Sequence, residues 1–288
     1  MNRKKLHAQF GLKWNPFTPD VPIESLWSSP RVESFVTRVE HMVGEGGFAL
    51  VTGEVGSGKS VTLRLLHDHL SNLPEVAVAI VSRPQSALAD FYRELGELFG
   101  VELRPHNRWA GFKLLRERWR AHAEASLLRP VLLVDEAQEM PPLVLNELRI
   151  LSSGELDAEV FLTTVLAGDG RLLDRFRTPE LLPFSSRIRT RLLLDHASQD
   201  ELRQVLQHSL KKAGRADLLT PALETALVEH AAGNLRSLMT LAGELLLTAC
   251  EREATQLDES IFFELYPDRS PRRIARSTAR GDKGRERS

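Results

Sequence analysis

Short apolar runs alternate with helical patterns over the first two thirds of the chain. The runs are rich in Val, Leu and Ile, and the segments between them repeat apolar residues at spacings of three and four. Near-continuous apolar runs predict buried strands, and strands that alternate with helices predict a parallel sheet covered by helices on both faces. The predicted strands are Phe48–Thr52, Val76–Val81, Pro130–Asp135, Val160–Ala167 and Ile188–Leu194.

Helical patterns fill the segments between these strands and all of the chain that follows them. In the first part, a helix is predicted to begin at Pro30 with Ser29 as its N-cap and to end at Gly44. The further helices there are Lys59–Leu70, Ser86–Phe99, Arg108–Ala125, Leu143–Leu151 and Arg171–Arg177. After Asp195 the predicted helices are Ser198–Ala213, Pro221–Ala232, Leu235–Glu251 and Asp258–Leu265.

These patterns divide the chain into four segments. We expect an extended N-terminal arm over residues 1–30, an α/β domain over 31–195 and a small helical domain over 196–266. A basic tail over 267–288 is predicted to be disordered, and a contact with nucleic acid or a partner is the alternative.

Composition narrows the class without deciding the function. The chain has 288 residues, of which 42% are hydrophobic, and its net charge of −1 provides no overall field for nucleic acid or membranes. Cys250 is the only cysteine, which excludes a disulfide framework. Because we find neither a signal peptide nor an apolar run that could span a bilayer, we expect a cytoplasmic protein without a membrane partner.

A phosphate-binding sequence follows the first predicted strand directly. The residues "GEVGSGKS" fit the P-loop pattern in full, with a strand before them and a helix after them. Loop amides and the helix N-terminus surround phosphate oxygens in such loops, the Lys reaches the β- and γ-phosphates, and the Ser binds Mg²⁺. The predicted ATP-binding residues here are Gly53, Glu54, Val55, Gly56, Ser57, Gly58, Lys59, Ser60 and Val61.

An acidic pair stands at the end of the third predicted strand. Asp135 and Glu136 follow four apolar residues, at the sheet edge where open α/β folds bind ligands. Together with Ser60, Asp135 is expected to hold Mg²⁺, partly through water. Glu136 is expected to activate a water molecule against the γ-phosphate, which predicts hydrolysis rather than binding alone.

The P-loop and the acidic pair resemble those of AAA+ ATPases. The resemblance implies a P-loop NTPase fold, with a parallel five-stranded sheet between helices followed by a helical lid, and subunits that form a ring or a filament. In the lid, Arg236 follows Gly233 and Asn234 and is similar to the sensor 2 arginine that contacts nucleotide. Asp169 lies where these proteins place sensor 1 but departs from the usual Asn, Thr or Ser, and a helix N-cap explains it equally well.

Further stretches resemble a narrower group, the ExeA-type ATPases and the related transposition regulators of the MuB, TniB and TnsC kind. These stretches are "FGLKWNPFTPDVP", "LLVDEAQ", "LNELRILSS" and "VLAGDGRLL". In ExeA-type secretion proteins a membrane span follows the ATPase, whereas this sequence stops at Ser288, which favours a free ATPase that works with a transposase. Secretion, loading of a helicase and signalling without DNA remain alternatives.

Two predicted roles depend on this resemblance. It implies that an arginine before the lid reaches the nucleotide of a neighbouring subunit. Period-two spacing places Arg187, Arg189 and Arg191 on one strand face, and we expect Arg187 to be this arginine, with Arg189 second. A solvated sheet edge is the alternative. Adenine is expected to contact the arm, where core packing is the alternative, at Asn15, Pro16 and Phe17.

The best candidate for a DNA surface is the basic stretch at 102–122. Its helical spacing places Phe112, Leu115 and Trp119 on a core stripe, and basic residues on another stripe. Such a basic stripe can follow the phosphates of double-stranded DNA without reading the sequence, or it can be a solvated face. The candidate DNA-binding residues are Arg104, Arg108, Lys113, Arg116 and Arg120.

Overall fold

The computed structural model of the chain describes residues 8–101, 108–124, 128–154 and 160–267. The chain divides into two compact units. An α/β unit comprises residues 28–196, and a helical unit joins the N-terminal residues up to Trp27 with the residues from Ala197 onward. Arg104 and the basic tail from residue 268 lie outside the described residues.

The α/β unit is built on a five-stranded parallel sheet, as the apolar runs predict. Its strands, numbered β1 to β5 along the chain, are Gly47–Gly53, Val76–Val81, Arg129–Val134, Thr163–Gly168 and Ile188–Leu194. The strands lie in the order β2-β3-β4-β1-β5, and every neighbouring pair is parallel. β1 therefore lies between β4 and β5, and the carboxyl ends of all strands meet at one edge of the sheet.

Helices cover both faces of this sheet. They are α1 (Pro30–Val43), α2 (Lys59–Ser71), α3 (Leu88–Phe99), α4 (Arg108–Glu124), α5 (Pro142–Ser152), α6 (Gly170–Phe176) and α7 (Leu182–Ser185). The apolar residues of α1 and α2 pack with alternate residues of β1 and β3 on one face, and those of α3 to α7 pack on the other. Burial on both faces explains why β1 and β3 carry almost no polar residues.

The helical unit contains α8 (Gln199–Ala213), α9 (Pro221–Ala231), α10 (Leu235–Glu251) and α11 (Glu259–Leu265). The arm, which the sequence separates as its own segment, is part of this unit. Phe10, Leu12 and Phe17 are buried in its core. The Lys13 amide also donates to the carbonyl oxygen of Ala213 at 2.9 Å. The arm is thus held by apolar burial and backbone hydrogen bonds.

Three local features differ from the prediction. α3 begins at Leu88 rather than Ser86, because residues 83–86 form a turn in which the Ser86 amide donates to the Arg83 carbonyl oxygen at 3.0 Å. The apolar run before β4 includes buried residues outside the strand, which itself begins at Thr163. The short helix α7, just before β5, has too few residues to show a helical period.

Candidate nucleotide site

The P-loop connects the end of β1 to the first turn of α2, as the sequence predicts. Gly56 and Gly58 have φ angles of 83° and 103°, which are in the left-handed region. Gly53 has no room for a side chain, since a Cβ there would lie 2.4 Å from the carbonyl oxygen of Leu194. Glycine adopts left-handed backbone angles at low cost and has no Cβ, so it suits all three positions. The loop can therefore pass close to a ligand.

Lys59 lies at the centre of this loop. Its side chain is buried, and its Nζ donates to the carbonyl oxygens of Gly53 at 2.9 Å and Glu54 at 3.0 Å. Among the described residues, the buried Ser57 Oγ has no hydrogen-bond partner. A buried ammonium group and an unpaired hydroxyl beside a helix N-terminus suit phosphate oxygens, so these residues fit a nucleotide.

The fold brings Ser60 and Asp135 into direct contact. Ser60 Oγ donates to Asp135 Oδ2 at 2.7 Å, and the Glu136 amide donates to Asp135 Oδ1 at 2.9 Å. A hydroxyl oxygen and a carboxylate are hard oxygen ligands of the kind that Mg²⁺ accepts. The pair predicted from two separate sequence patterns therefore forms one constellation, and it fits the metal.

Glu136 lies immediately after this pair in an uncommon backbone conformation. Its φ of 51° and ψ of 38° are left-handed, which is unusual for a residue other than glycine. The Gln138 amide donates a hydrogen bond to the Glu136 carboxylate. Non-glycine residues in this region cluster at functional sites, where surrounding contacts hold them.

Asp169 is the N-cap of α6, and its backbone amide donates to the Gln138 side chain. Its Oδ1 accepts from the Arg171 amide at 2.9 Å, as an N-cap does, and its carboxylate also receives the Arg171 side chain. These hydrogen bonds from Arg171 hold the pKa of Asp169 below its usual range, and the charge of Lys59 acts in the same direction. The N-cap account of Asp169 is therefore the one that the contacts support.

Two of the three arginines lie in β5: Arg189 and Arg191 are exposed and alternate with the buried Thr190 and Leu192, as period-two spacing predicts. Arg187 lies in the turn before β5 and donates to Ser153 Oγ at 2.8 Å. The register with β1 shifts at Arg189, since Phe48 pairs with Ile188 and Ala49 pairs with Thr190. Arg189 turns to Glu45, at 2.8 Å, and Arg191 donates to the Ser185 carbonyl oxygen at 3.3 Å.

Arg187 and Arg189 lie at the end of the sheet opposite to the P-loop. In the parallel register, Ile188 pairs with Phe48 at the start of β1, whereas the P-loop follows Gly53 at its end. Five residues of strand separate these positions by about 16 Å at ~3.3 Å per residue. An arginine from this edge can therefore act on nucleotide only in another subunit.

Two predicted nucleotide contacts belong to the helical unit. Phe17 is buried in its core, and the Phe17 amide donates to Asn15 Oδ1 at 3.0 Å. This agrees with core packing, the alternative to an adenine contact for the segment around Pro16. Arg236 lies in the first turn of α10, for which Asn234 is the N-cap. Its role toward nucleotide stays a prediction.

The basic helix α4 divides as its spacing predicts. Leu115 and Trp119 are buried, whereas Lys113 and Arg120 are exposed. Arg116 is half-buried, and its guanidinium lies over the Phe112 ring at 5.1 Å. Of the other two candidates for DNA contact, Arg104 and the side chain of Arg108 lie outside the described residues.

Some contacts of the site were missed by sequence reasoning. The sequence does not indicate that the Arg175 guanidinium donates to the carbonyl oxygens of Gln138 and Met140, or that Arg171 pairs with Glu139 at 3.0 Å. No motif marks these arginines, because they act on a loop 30 to 40 residues earlier. The sequence gives one signal for these contacts, since α6 follows the end of β4 directly and so begins at the edge of the sheet where ligands bind.

Comparison with known proteins agrees with this geometry. Residues 41–176 match the family model of the AAA domain, and the matched range contains the P-loop, the acidic pair and Asp169. The α/β unit thus contains a AAA domain, as the resemblance to AAA+ ATPases implies. The chain is also 33% identical over 247 residues to General secretion pathway protein A of Aeromonas hydrophila. The alignment covers 83% of this chain but 44% of that relative, less than half of its length.

Solved structures confirm the fold. The Aeropyrum pernix ORC2 protein, in its ADPNP-ADP complexes, is similar with a TM-score of 0.68 and 15% identity over 89% of this chain and 72% of that chain. The Aeropyrum pernix ORC1 protein in complex with DNA has a TM-score of 0.64 and 19% identity over 88% of this chain and 68% of that one. At these identities the likeness shows a P-loop AAA+ fold alone.

A separate observation concerns membranes. Among the residues that the structure describes, there is no helix with the length and apolar character needed to cross a bilayer.

Proposed function

We propose that this chain hydrolyses Mg-ATP and that the nucleotide cycle controls its assembly on double-stranded DNA. The observation that carries the ATPase part is the contact of Ser60 with Asp135, beside the buried Lys59 ammonium group. These groups sit at one strand edge and one helix N-terminus, where phosphates bind.

In the proposed reaction, Lys59 exchanges its loop carbonyl partners for oxygens of the β- and γ-phosphates. Ser60 and Asp135 hold Mg²⁺, which when bound neutralises charge on the phosphates. Glu136 orients a water molecule toward the γ-phosphorus and accepts its proton. The loop amides between Gly53 and Ser60 bind the remaining phosphate oxygens.

A neighbouring subunit completes the proposed site. Arg187 is the preferred donor in trans, with Arg189 second, because this sheet edge is too far from the P-loop of its own chain. An arginine supplied in this way stabilises the charge of the transition state and raises the rate by roughly 10³–10⁵. Arg236 is proposed to sense the γ-phosphate from the lid, and the subunits are proposed to form a ring or a filament.

DNA is the proposed partner of the assembled subunits. Lys113, Arg116 and Arg120 form a basic stripe on α4, which suits phosphate contacts that do not read the sequence. Support also comes from the similar ORC1 protein, whose structure is a complex with DNA. In its most specific form, the proposal is that this chain acts as a cytoplasmic regulator of transposition, which selects a target and stimulates a transposase.

Secretion is a second candidate function. The 33% identity to General secretion pathway protein A favours it directly. In that case the ATPase cycle would drive assembly of an envelope complex, and the basic stripe on α4 would be a solvated face. The two candidates share the nucleotide chemistry and differ in the partner.

Thermal unfolding in the presence of nucleotide tests the ATP site. A ligand that binds only the folded state raises the melting temperature. At a free ligand concentration of a hundred times Kd, it adds ~2.7 kcal/mol to the free energy of unfolding. We expect Mg-ATP to stabilise the native chain and to have no effect on Lys59→Ala. An equal shift in both proteins would remove Lys59 from the site.

DNA binding separates the two candidate functions. We expect duplex DNA to bind more tightly with ATP than with ADP or without nucleotide, and binding to weaken steeply with salt. The double variant Lys113→Gln/Arg120→Gln should weaken binding, whereas the charge-matched Arg177→Gln/Arg203→Gln should not. Absence of duplex binding, or binding indifferent to nucleotide, contradicts the DNA proposal and leaves secretion.

A further inference from the structure

Gln138 is a buried polar residue two positions beyond Glu136. It lies in the 3-10 turn Ala137–Glu139 and is 7% exposed. Its Nε2 donates to the Glu136 carboxylate, and its Oε1 accepts from the Asp169 amide at 3.2 Å. The partners fix which end of the amide is which, since a carboxylate can only accept and a backbone amide can only donate.

The backbone on both sides of this side chain is held by α6. Arg175 donates to the carbonyl oxygens of Gln138 and Met140. Arg171 lies 3.0 Å from Glu139 and 2.8 Å from Asp169. The turn that carries Gln138 therefore has little freedom to move independently of the end of β4.

Gly168, the last residue of β4, provides the space that the Gln138 amide occupies. A Cβ at this position would lie 2.7 Å from Gln138 Oε1 and 2.8 Å from Leu172 Cδ2. Any side chain at position 168 would push the Gln138 side-chain amide away from the backbone amide of Asp169. The residue before Asp169 thus controls where the Gln138 side chain lies.

From these contacts we infer that Gln138 is a positioning residue for ATP hydrolysis, acting through Glu136. By binding Glu136 Oε2, it orients the carboxylate and leaves Oε1 to accept the proton of the attacking water. The same amide joins Glu136 to the end of β4, so that a shift at Asp169 moves the base. The inference rests on the proposed ATPase function, since it assigns the base the same role.

A double-mutant cycle tests this inference. Gln138→Leu keeps the approximate size of the side chain and removes both hydrogen bonds. We expect a fall in kcat on the order of 10²-fold, as for a misplaced catalytic group, with the KM for ATP within about twofold. In the Glu136→Gln background the same substitution should have almost no further effect on the residual rate, because groups that act as a unit are not additive.

A second variant reaches the same contact without changing Gln138. Gly168→Ala should lower kcat in the same direction by displacing the amide. The matched control is Gln207→Leu. Gln207 lies on the exposed surface of α8, and its side chain likewise donates to a glutamate, Glu224 of α9. This control should keep the native kcat.

Hydrogen exchange gives a readout that does not depend on turnover. In nucleotide-free protein, the Asp169 amide should exchange faster in Gln138→Leu than in the native chain, because it loses its acceptor. Unchanged exchange would mean that the contact is absent in solution and would overturn the inference.

The outcomes separate the inference from the proposed function. If the native chain fails to release phosphate from ATP with or without duplex DNA, the proposed function fails and the inference fails with it. If the native chain is active but Gln138→Leu leaves kcat unchanged, or lowers the rate equally in both backgrounds, only the inference about Gln138 is overturned.

Discussion

At the scale of single residues, charge and hydrogen bonding around Asp169 predict a dependence of stability on pH. Arg171 lowers the pKa of Asp169 in the folded state, so the carboxylate contributes stability above about pH 4, where it ionises when unfolded. This contribution is lost as the pH falls through the folded pKa. The dependence reports the side-chain hydrogen bond and charge of Arg171 together with the capping hydrogen bond from the Arg171 backbone amide.

Asp169→Asn isolates that charge, because asparagine still caps a helix. We expect the variant to be less stable than the native chain at pH 7 and the two to converge in acid, when urea unfolding is measured across pH. Asp174→Asn is the control, since its pair with Arg177 is exposed on both sides and such pairs contribute little. A constant difference between Asp169→Asn and the native chain would contradict the assignment.

The residues of the site were predictable to different degrees for a physical reason. The P-loop and the acidic pair carry their chemistry in local spacing, so Lys59, Ser60 and Asp135 could be assigned before their contacts were known. The partnership of Gln138 with Asp169 spans 31 residues and two strands. Nothing in the local sequence encodes it, because it depends on β3 and β4 lying side by side.

At the scale of elements, the arm is an integral part of the helical unit. Phe17 is 6% exposed and packs among residues of that unit, so it fills volume in a core. An adenine contact and core packing make different predictions for the nucleotide-free protein. Only core packing requires that Phe17 stabilise the fold when no ligand is present.

Phe17→Ala should therefore destabilise the nucleotide-free protein by about 3–5 kcal/mol, the range for removing a buried phenylalanine. Chemical denaturation measures this loss. Leu247→Ala, at an exposed position of α10, should cost much less. If stability is unchanged and the affinity for ATP falls instead, the arm binds adenine as the resemblance implies.

The elements themselves were largely predictable, and their arrangement was not. Buried parallel strands are almost continuously apolar, so all five strands were found with small errors in their bounds. The position of β1 between β4 and β5 follows from long-range pairing that no local pattern encodes. The register shift in β5 also escaped prediction, because it depends on the pairing with β1.

At the scale of the whole molecule, the proposed assembly depends on an arginine that serves another subunit. Arg187→Ala should spare ATP binding and abolish cooperative hydrolysis, measured as the Hill coefficient of phosphate release. Ser153→Ala is the matched control, because it removes the hydrogen bond within the chain and keeps the arginine. Cooperative turnover that survives Arg187→Ala would place the arginine in trans elsewhere, with Arg189 the next candidate.

The fold of the α/β unit and its match to the AAA domain both point to nucleotide binding. The partner of the molecule, in contrast, is proposed from a basic stripe on one helix. A nearly neutral chain gives no overall field that selects a partner. The sequence could therefore predict the ATPase class and not the assembly in which the ATPase works.

The most direct test of the central claim is phosphate release by Glu136→Gln, measured beside the ATP that stays bound to the protein. Removing a general base lowers the rate by roughly 10²–10⁴, so the account predicts that much loss of turnover, an ATP affinity like that of the native chain, and unhydrolysed ATP retained on the protein. Turnover by Glu136→Gln at the native rate would contradict the claim that this site hydrolyses ATP with Glu136 as its base.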